Sequence, residues 1–305
     1  MIRLGYCCIN LSLKDKKVNR GMIKKTFLSK GLNYCSELAE QNLIDTFDII
    51  KWNVDNNIFV YRLSSNIFPW FSEYNLEDLP NFNNIKSTLC QIGKFILENN
   101  VRVGFHPGPF NVLASEKYQV VDNTVFEINQ HSKILDMMGL PKNPYYGINI
   151  HINNSKPNKA SALQRFEDNF SKLSNSSQKR LTIENDDKQS LYTPLDLIKL
   201  SNRIKEKYGC LLPVVFDNLH YSIHSDLLCP TFIVSECSKT WSDLTPLIHW
   251  SSSKKIHEDP SCLQIAHADY VYDKIVLPNG NFDVEIEAKC KDLSLLNYIK
   301  NYQNI

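Results

Sequence analysis

The chain has 305 residues, 22% of them charged, and a formal net charge of +1. This length suits one large α/β domain or two smaller ones, and the balanced charge gives no global sign of a nucleic-acid-binding protein. No apolar run approaches the roughly eighteen residues of a membrane-spanning helix, so we expect no contact with a membrane. The nine cysteines form no C-x-x-C pair, and the first residues show no signal-peptide pattern. Both features predict free thiols in a soluble, intracellular protein.

Strand-like and helix-like segments alternate along the whole chain. The expected strands cover residues 3–9, 58–63, 101–105, 146–150, 181–183, 214–216, 246–248 and 282–286. The expected helices cover residues 43–54, 85–98, 121–138, 160–173, 193–208, 225–241 and 292–302, and the polar segment 251–272 is left unassigned. Alternating strands and helices imply parallel pairing through right-handed crossovers. About eight such units without a linker predict the α/β class and a single TIM (β/α)8 barrel domain over residues 1–305.

Six of these strands run into a side chain that can bind a metal ion. The six residues are His106, His151, Glu184, Asp217, His249 and Glu287, and His220 follows three positions after Asp217. A lone histidine is more often a hydrogen-bonded core residue than a metal ligand. Six such residues at equivalent positions favour a metal centre, because the carboxyl ends of barrel strands converge on one face.

The types of these residues indicate the chemistry. Imidazoles and carboxylates without thiolates favour Zn²⁺, Mn²⁺ or Fe²⁺ over Mg²⁺ or Ca²⁺ alone. About eight ligands are too many for one tetrahedral zinc, which predicts two or three ions that share carboxylates. Such a centre can ionise a water, hold a phosphodiester and neutralise the leaving oxygen. Phosphoester hydrolysis is the leading reaction class, and a metal-dependent sugar isomerase or epimerase on a similar barrel is the alternative.

A basic segment follows the first strand. Residues 14–30 include seven lysines and arginines and a single acidic residue, Asp15. The segment is either the solvated start of a helix or a basic rim beside the site. A basic rim suits DNA rather than a small sugar.

Nine short stretches carry a resemblance to a known family. They are residues 3–6 (Arg-Leu-Gly-Tyr) with Asn10, 61–66 (Tyr-Arg-Leu-Ser-Ser-Asn), 105–108 (Phe-His-Pro-Gly), 149–151 (Asn-Ile-His), 182–187 (Thr-Ile-Glu-Asn-Asp-Asp), 216–220 (Phe-Asp-Asn-Leu-His), 249–252 (His-Trp-Ser-Ser), 267–270 (His-Ala-Asp-Tyr) and 282–289 (Phe-Asp-Val-Glu-Ile-Glu-Ala-Lys). With these stretches in order over nearly its whole length, the chain resembles the UV damage endonucleases and, more distantly, endonuclease IV.

The resemblance implies a TIM barrel that holds about three divalent ions, Mn²⁺ first, with Zn²⁺ or Mg²⁺ as alternatives. It implies a DNA repair enzyme that nicks damaged double-stranded DNA immediately 5′ of UV photoproducts and related lesions and leaves a 3′-hydroxyl. We expect such a protein to act as a monomer.

The resemblance also implies roles for individual residues. The metal ligands by position are His106, His151, Glu184, Asp217, His220, His249, His267 and Glu287. Glu184 and Glu287 are expected to act in catalysis together with Lys289, which is suited to a phosphate contact. Tyr6 and Asn10 match residues that line the site near the lesion.

Three positions depart from the family's pattern. Pro109 stands before Phe110 at a position where the family usually has a glutamine before an aromatic residue, a pair that pushes into the duplex at the lesion. Phe110 can still act as a wedge. Pro109 cannot form the hydrogen bonds of a glutamine amide. Glu73 stands where we expect a further histidine ligand, and it could supply a carboxylate to a harder ion. Leu247 stands where some members carry a lysine near the metals. These departures motivate a third hypothesis, a catalytically impaired DNA-binding relative.

Overall fold

The computed structural model describes residues 1–224 and 228–302. The strands are β1 (Ile2–Cys7), β2 (Val60–Arg62), β3 (Arg102–Gly104), β4 (Ile148–His151), β5 (Leu181–Glu184), β6 (Val214–Asp217), β7 (Leu247–Trp250) and β8 (Phe282–Ile286). Neighbouring strands are parallel, in the order β3-β2-β1-β8-β7-β6-β5-β4. Each expected strand is present, with bounds within about two residues of those predicted.

Hydrogen bonds between β3 and β4 close the sheet into a barrel. Phe105 donates its N–H to the carbonyl of Gly147 at 3.0 Å, and Asn149 donates its N–H to the carbonyl of Phe105 at 2.8 Å. Phe105 and Ile148 form a parallel bridge between the two strands. The first strand pairs with the last over five residues, from Ile2 to Tyr6. The predicted α/β TIM barrel is confirmed, and the expectation of one domain over residues 1–305 stays a prediction.

Helices surround the barrel in the described part of the chain. They are α1 (Lys24–Asp55), α2 (Phe82–Glu98), α3 (Tyr118–Met137), α4 (Lys159–Phe170), α5 (Asn175–Arg180), α6 (Pro194–Tyr208), α7 (Asn218–Tyr221), α8 (Pro230–Lys239), α9 (Lys254–His257) and α10 (Lys291–Tyr302). The helix expected over 225–241 is represented by α8, and residues 225–227 lie outside the described residues. The unassigned segment 251–272 contains the short helix α9 and is otherwise irregular.

Helix α6 illustrates how local sequence defines an element. The Thr193 hydroxyl accepts the N–H of Asp196 at 3.4 Å, and the Asp196 carboxylate accepts the N–H of Thr193 at 3.2 Å. This reciprocal capping box satisfies two backbone donors at the helix start, and Pro194 suits the first turn. The helix ends at Gly209, whose φ of 66° is readily adopted by glycine.

Two further expectations concern thiols and membranes. All nine cysteines are free thiols. Across residues 1–224 and 228–302, no helix combines the length and the apolar character needed to cross a membrane.

Candidate metal centre at the carboxyl face of the barrel

Side-chain alternation and strand register bring the predicted ligands together inside the barrel. His151 on β4 is paired with Glu184 on β5, and Asp217 on β6 is paired with His249 on β7. Residues paired in this way point to the same side of a sheet. His249 is paired in turn with Glu285 on β8, so one layer of inward side chains runs across three strands.

Glu184 is the hub of the cluster. Its Oε2 lies 3.1 Å from His106 Nε2 and 2.9 Å from His249 Nδ1. Its Oε1 lies 3.2 Å from His220 Nδ1 and 3.8 Å from His151 Nε2. The Asn149 amide donates a further hydrogen bond to Oε2. One buried carboxylate therefore holds four imidazoles around it.

The remaining predicted ligands extend this cluster to one side. His220 Nδ1 lies 3.8 Å from Asp217 Oδ1, and the two rings of His220 and His267 are 6.3 Å apart. His267 Nδ1 is 3.9 Å from Glu287 Oε2, and Glu287 Oε1 is 3.1 Å from His249 Nδ1. The structure thus brings together all eight ligands that the resemblance implied.

Sequence analysis missed two members of the cluster, Arg62 and Glu285. Arg62 Nε donates to Glu285 Oε2 at 2.7 Å, and its Nη2 contacts Glu287 Oε1 and lies 2.7 Å from His249 Nε2. Arg62 therefore orients an imidazole and two carboxylates at once.

These pairs belong to a ladder of acids and arginines inside the barrel. Asp283, Glu285 and Glu287 alternate along and just beyond β8, so their side chains share one face. Asp283 binds Arg3 at 2.7 Å and Arg102 at 3.1 Å at the amino end of the barrel. This alternation of acids was a signal in the sequence that could have revealed Glu285.

Burial and neighbouring charges shift the protonation of the cluster. Burial lowers the pKa of His151 to about 4, which keeps this imidazole neutral at pH 7. Burial alone would raise the pKa of Glu184, but the positive charge of His249, whose own pKa is raised to about 10 against burial by this carboxylate, outweighs it and holds the pKa of Glu184 well below its usual value. A neutral imidazole beside an ionised carboxylate is the form in which both side chains bind metal ions.

The donor set fits divalent metal ions. Asp217 Oδ2 is buried and has no hydrogen-bond partner within the described residues, and Glu184 Oε1 accepts no hydrogen bond there although His220 Nδ1 lies 3.2 Å away. A buried carboxylate oxygen without a hydrogen bond is costly. His106, His151 and Glu184 form one group of close ligand atoms, and Glu184, Asp217 and His249 form a second. Since Glu184 belongs to both groups, its carboxylate can serve two adjacent ions.

Metal binding should therefore stabilise the protein. We expect saturating Mn²⁺ to raise the Tm by about 5 °C or more over the protein in a chelator, because the ions bind only the folded state. Differential scanning fluorimetry measures the shift. Glu73→Gln is the matched control, because Glu73 is exposed, and it should show the same shift. No shift with Mn²⁺, Zn²⁺ or Mg²⁺ would contradict a metal centre.

Glu73 lies outside this cluster. It is exposed and accepts a hydrogen bond from the neighbouring Ser72 at 3.4 Å. Phe71 and Tyr74, on either side of it, are buried and contact each other, so the backbone between them turns Glu73 to the solvent. The groups of close ligand atoms in the described residues do not include Glu73. The expected contribution of Glu73 to the centre therefore lacks structural support.

Tyr6 and Asn10 are buried rather than exposed on the face of the barrel. Tyr6 is paired with Ile286, so it points outward from the barrel towards α1 and is fully buried. Its hydroxyl donates to Asn53 of α1 at 2.7 Å and accepts from Asn10 at 2.8 Å. Both side chains thus pack under the loop that follows β1 and stabilise it. Direct contact with a lesion would require them to move.

The other expected DNA contacts lie at the rim. Phe110 is 88% exposed, in the loop that follows β3, and Pro109 beside it is exposed as well. Lys289 is exposed two residues beyond Glu287, and its backbone N–H binds the carbonyl of Ala268 at 3.0 Å. These side chains are therefore accessible from the solvent on the same face as the cluster.

The fold and the cluster together define the class of protein. It is a TIM barrel in which histidines and carboxylates around one shared glutamate form a candidate multinuclear metal centre. The family model described as UV-endonuclease UvdE matches residues 2–305. A UV DNA damage endonuclease of Bacillus cereus (strain Q1) is 33% identical over 324 residues, which cover 100% of this chain and 96% of the relative. The chain therefore belongs to the UV-endonuclease UvdE family, which confirms the resemblance of the nine stretches.

Solved structures agree with this assignment. The crystal structure of SacUVDE superposes with a TM-score of 0.85 at 29% identity, over 100% of this chain and 99% of that one. Endonuclease IV from Thermus thermophilus superposes with a TM-score of 0.58 at 11% identity, over 99% of each chain. The second likeness concerns the fold alone, as expected for the more distant relative.

Proposed function

We propose that this protein nicks damaged double-stranded DNA immediately 5′ of UV photoproducts and related lesions, with about two to three divalent ions, Mn²⁺ first, at the Glu184 cluster. The observation that carries the proposal is the meeting of four imidazoles at one buried carboxylate in a chain of the UvdE family. The proposal includes a monomeric protein that works inside the cell, where the genome is maintained.

The side chains of the cluster divide the task of holding the metals. Bound divalent ions would supply Lewis-acid activation of water and neutralise charge on the phosphate. His106 and His151 flank Glu184 on one side, and Asp217 and His249 flank it on the other. Glu184 is therefore suited to link the two groups, which is why we assign it a catalytic role.

Glu287 and its partners would complete the centre. Arg62 engages Glu287 Oε1, whereas Oε2 of the same carboxylate faces His267 at 3.9 Å. Arg62 thus restricts the rotation of Glu287 and leaves one oxygen for a metal ion. The exposed Lys289, two residues further, is suited to contact a phosphate near the scissile bond.

Part of the basic segment after β1 supports duplex DNA as the substrate. The loop after β1 lies at the carboxyl face and carries the exposed residues Lys14 and Lys17, which suit phosphate contacts. Lys16 and Arg20 of the same loop are instead neutralised by Asp48 and Asp45, at 2.7 and 2.6 Å. The basic segment therefore offers less free charge than its sequence suggests.

A direct experiment compares two duplexes that differ by one photoproduct. We expect purified protein with Mn²⁺ to cut the damaged strand on the 5′ side of the lesion, to leave the undamaged duplex intact, and to stop in a chelator. Absence of lesion-dependent incision with Mn²⁺, Zn²⁺ and Mg²⁺ would contradict the proposal. In that case, interconversion of ketose sugars by the same preparation would favour the sugar isomerase or epimerase alternative.

Phe110 provides a test of lesion recognition. An exposed aromatic ring at a DNA-binding face can push into a base step that a lesion has already weakened. Phe110→Ala should weaken binding to the damaged duplex by about tenfold, because base–aromatic stacking contributes about 1–3 kcal/mol. Fluorescence anisotropy measures the effect.

The control replaces another exposed phenylalanine. Phe232 is 52% exposed on α8, and Phe232→Ala should bind the damaged duplex like the natural protein. If Phe110→Ala also binds with unchanged affinity, Phe110 is not a wedge. Preserved lesion binding without incision by the natural protein would favour the catalytically impaired relative.

A further inference from the structure

The polar side chain of Asn153 lies beside the loop that carries the exposed Phe110. This Phe110 loop connects β3 to α3 (residues 105–117). Asn153 follows the metal-ligand candidate His151 by two residues, and Phe110 follows His106 by four. The rings of the two histidines are 5.2 Å apart, and their strands β3 and β4 are neighbours in the closed barrel. The two loops therefore leave the barrel side by side above the cluster.

The backbone of Asn153 adopts a conformation that favours glycine. Its φ is 53°, in the left-handed region that residues with a side chain seldom occupy. Its N–H donates at 2.9 Å to Oδ1 of Asp186, which is fully buried at the end of the neighbouring strand β5. A buried carboxylate thus holds Asn153 in this conformation. Unfavourable backbone conformations that are held by their surroundings cluster at binding sites.

The side chain of Asn153 reaches the Phe110 loop. Its Nδ2 donates to the carbonyl of Pro109 at 3.4 Å, at the long end of the hydrogen-bond range, and the contact is exposed to solvent. The amide is therefore weakly engaged and can exchange this partner for another. Its partner Pro109 directly precedes Phe110 in the chain.

The base of the Phe110 loop is firmly anchored. Asn111 Nδ2 donates to the carbonyl of Gly108 at 3.1 Å, and Asn154 Nδ2 donates to the carbonyl of Ala114 at 2.9 Å. Asn169 of α4 donates to the carbonyl of Leu113 at 2.8 Å. The Phe110 ring and the Asn153 amide are consequently presented on a pre-organised support.

We propose that Asn153 is a specificity-determining residue whose side-chain amide reads the base opposite the lesion. The inference rests on the proposed function and adds a substrate contact to it. An aromatic ring stacks on every base alike, whereas an asparagine amide forms two hydrogen bonds with the N6 and N7 atoms of adenine. Adenine stands opposite the thymines of a thymine photoproduct, so Phe110 separates the bases and Asn153 identifies the partner strand.

The experiment measures binding to duplexes with one thymine photoproduct and a non-hydrolysable phosphonate linkage on its 5′ side, in Mn²⁺. The opposing bases are either adenines or purines that lack the 6-amino group. Asn153→Gly removes the amide and suits the left-handed backbone. Asn100→Gly is the matched control, because Asn100 has a φ of 51° at the opposite end of the barrel.

The natural protein and Asn100→Gly should each lose about tenfold in affinity when the 6-amino group is absent. Asn153→Gly should bind the adenine duplex about tenfold more weakly and should not distinguish it from the purine duplex. If Asn153→Gly discriminates as strongly as the natural protein, the inference is overturned while the proposed function stands. If the natural protein does not prefer damaged over undamaged duplex, both fail.

Discussion

Glu184→Gln should lower the rate of incision at a photoproduct by about a thousandfold, which corresponds to about 4 kcal/mol of lost transition-state stabilisation. The substitution keeps the size of the side chain and removes the charge that four imidazoles surround. Because Glu184 belongs to both groups of close ligand atoms, its loss weakens both together. Single-turnover incision with saturating Mn²⁺ measures the change.

The control for Glu184 is a glutamate outside the cluster. Glu206 is exposed on α6, and Glu206→Gln should cut at the natural rate. The far-ultraviolet circular dichroism of Glu184→Gln should match that of the natural protein, which separates lost chemistry from lost structure. Incision by Glu184→Gln at more than about a tenth of the natural rate would refute the role of this carboxylate as a shared ligand.

Arg62→Met should lower the free energy of unfolding by about 3–5 kcal/mol, because it leaves two carboxylates without their buried cation. The Arg62 side chain is 11% exposed, and Glu285 and Glu287 both bind its Nη2. The substitution also removes the contact between Arg62 Nη2 and His249 Nε2 at 2.7 Å. Urea denaturation of the metal-free protein, followed by circular dichroism, measures the loss.

Arg203→Met is the matched substitution on the outside of the barrel. The Arg203 guanidinium pairs with Glu167 at 3.0 Å, but the Arg203 side chain is 41% exposed. The pair therefore contributes about 0–1 kcal/mol to the free energy of unfolding. Arg62→Lys keeps a positive charge but cannot contact Glu285, Glu287 and His249 at once, and its stability should lie between those of Arg62→Met and the natural protein. A midpoint for Arg62→Met equal to that of Arg203→Met would show that Arg62 is dispensable.

The positions of the strand-end ligands could be predicted because one rule of the barrel acts on all of them. His151, Glu184 and Asp217 are each the last residue of a parallel strand, and parallel strands end on the same face. The approach of His151 Nε2 to Glu184 Oε1, at 3.8 Å, depends on strand register. Register arises from long-range pairing across the sheet and leaves no local trace in the sequence.

Arg62 and Glu285 were missed because the expected strands, residues 58–63 and 282–286, place both residues inside a strand rather than at its end. A charged residue inside a short apolar strand can point into the barrel or towards the helices, and the choice depends on its pairing. The register pairs Arg62 with Cys7 and Glu285 with Gly5, so both side chains enter the barrel. Their partnership joins residues 223 positions apart in the chain.

The same alternation accounts for Tyr6. Tyr6 directly follows Gly5, which lies at an inward-facing position, so the ring of Tyr6 points to the helices and its hydroxyl binds Asn53. A motif match locates a residue along the chain, but it does not state which side of the strand the side chain occupies. Whether Tyr6 and Asn10 move towards DNA when it binds is decided by crosslinking to a photoproduct duplex.

The most direct test of metal-dependent incision at lesions is the mass of the fragments released from a duplex with one thymine photoproduct. With Mn²⁺, we predict two fragments that result from a single cut immediately 5′ of the lesion, the upstream fragment ending in a 3′-hydroxyl. A chelator should abolish both fragments, and the undamaged duplex should yield none. Equal cutting of damaged and undamaged duplexes, or cutting that persists in the chelator, would contradict the proposed function.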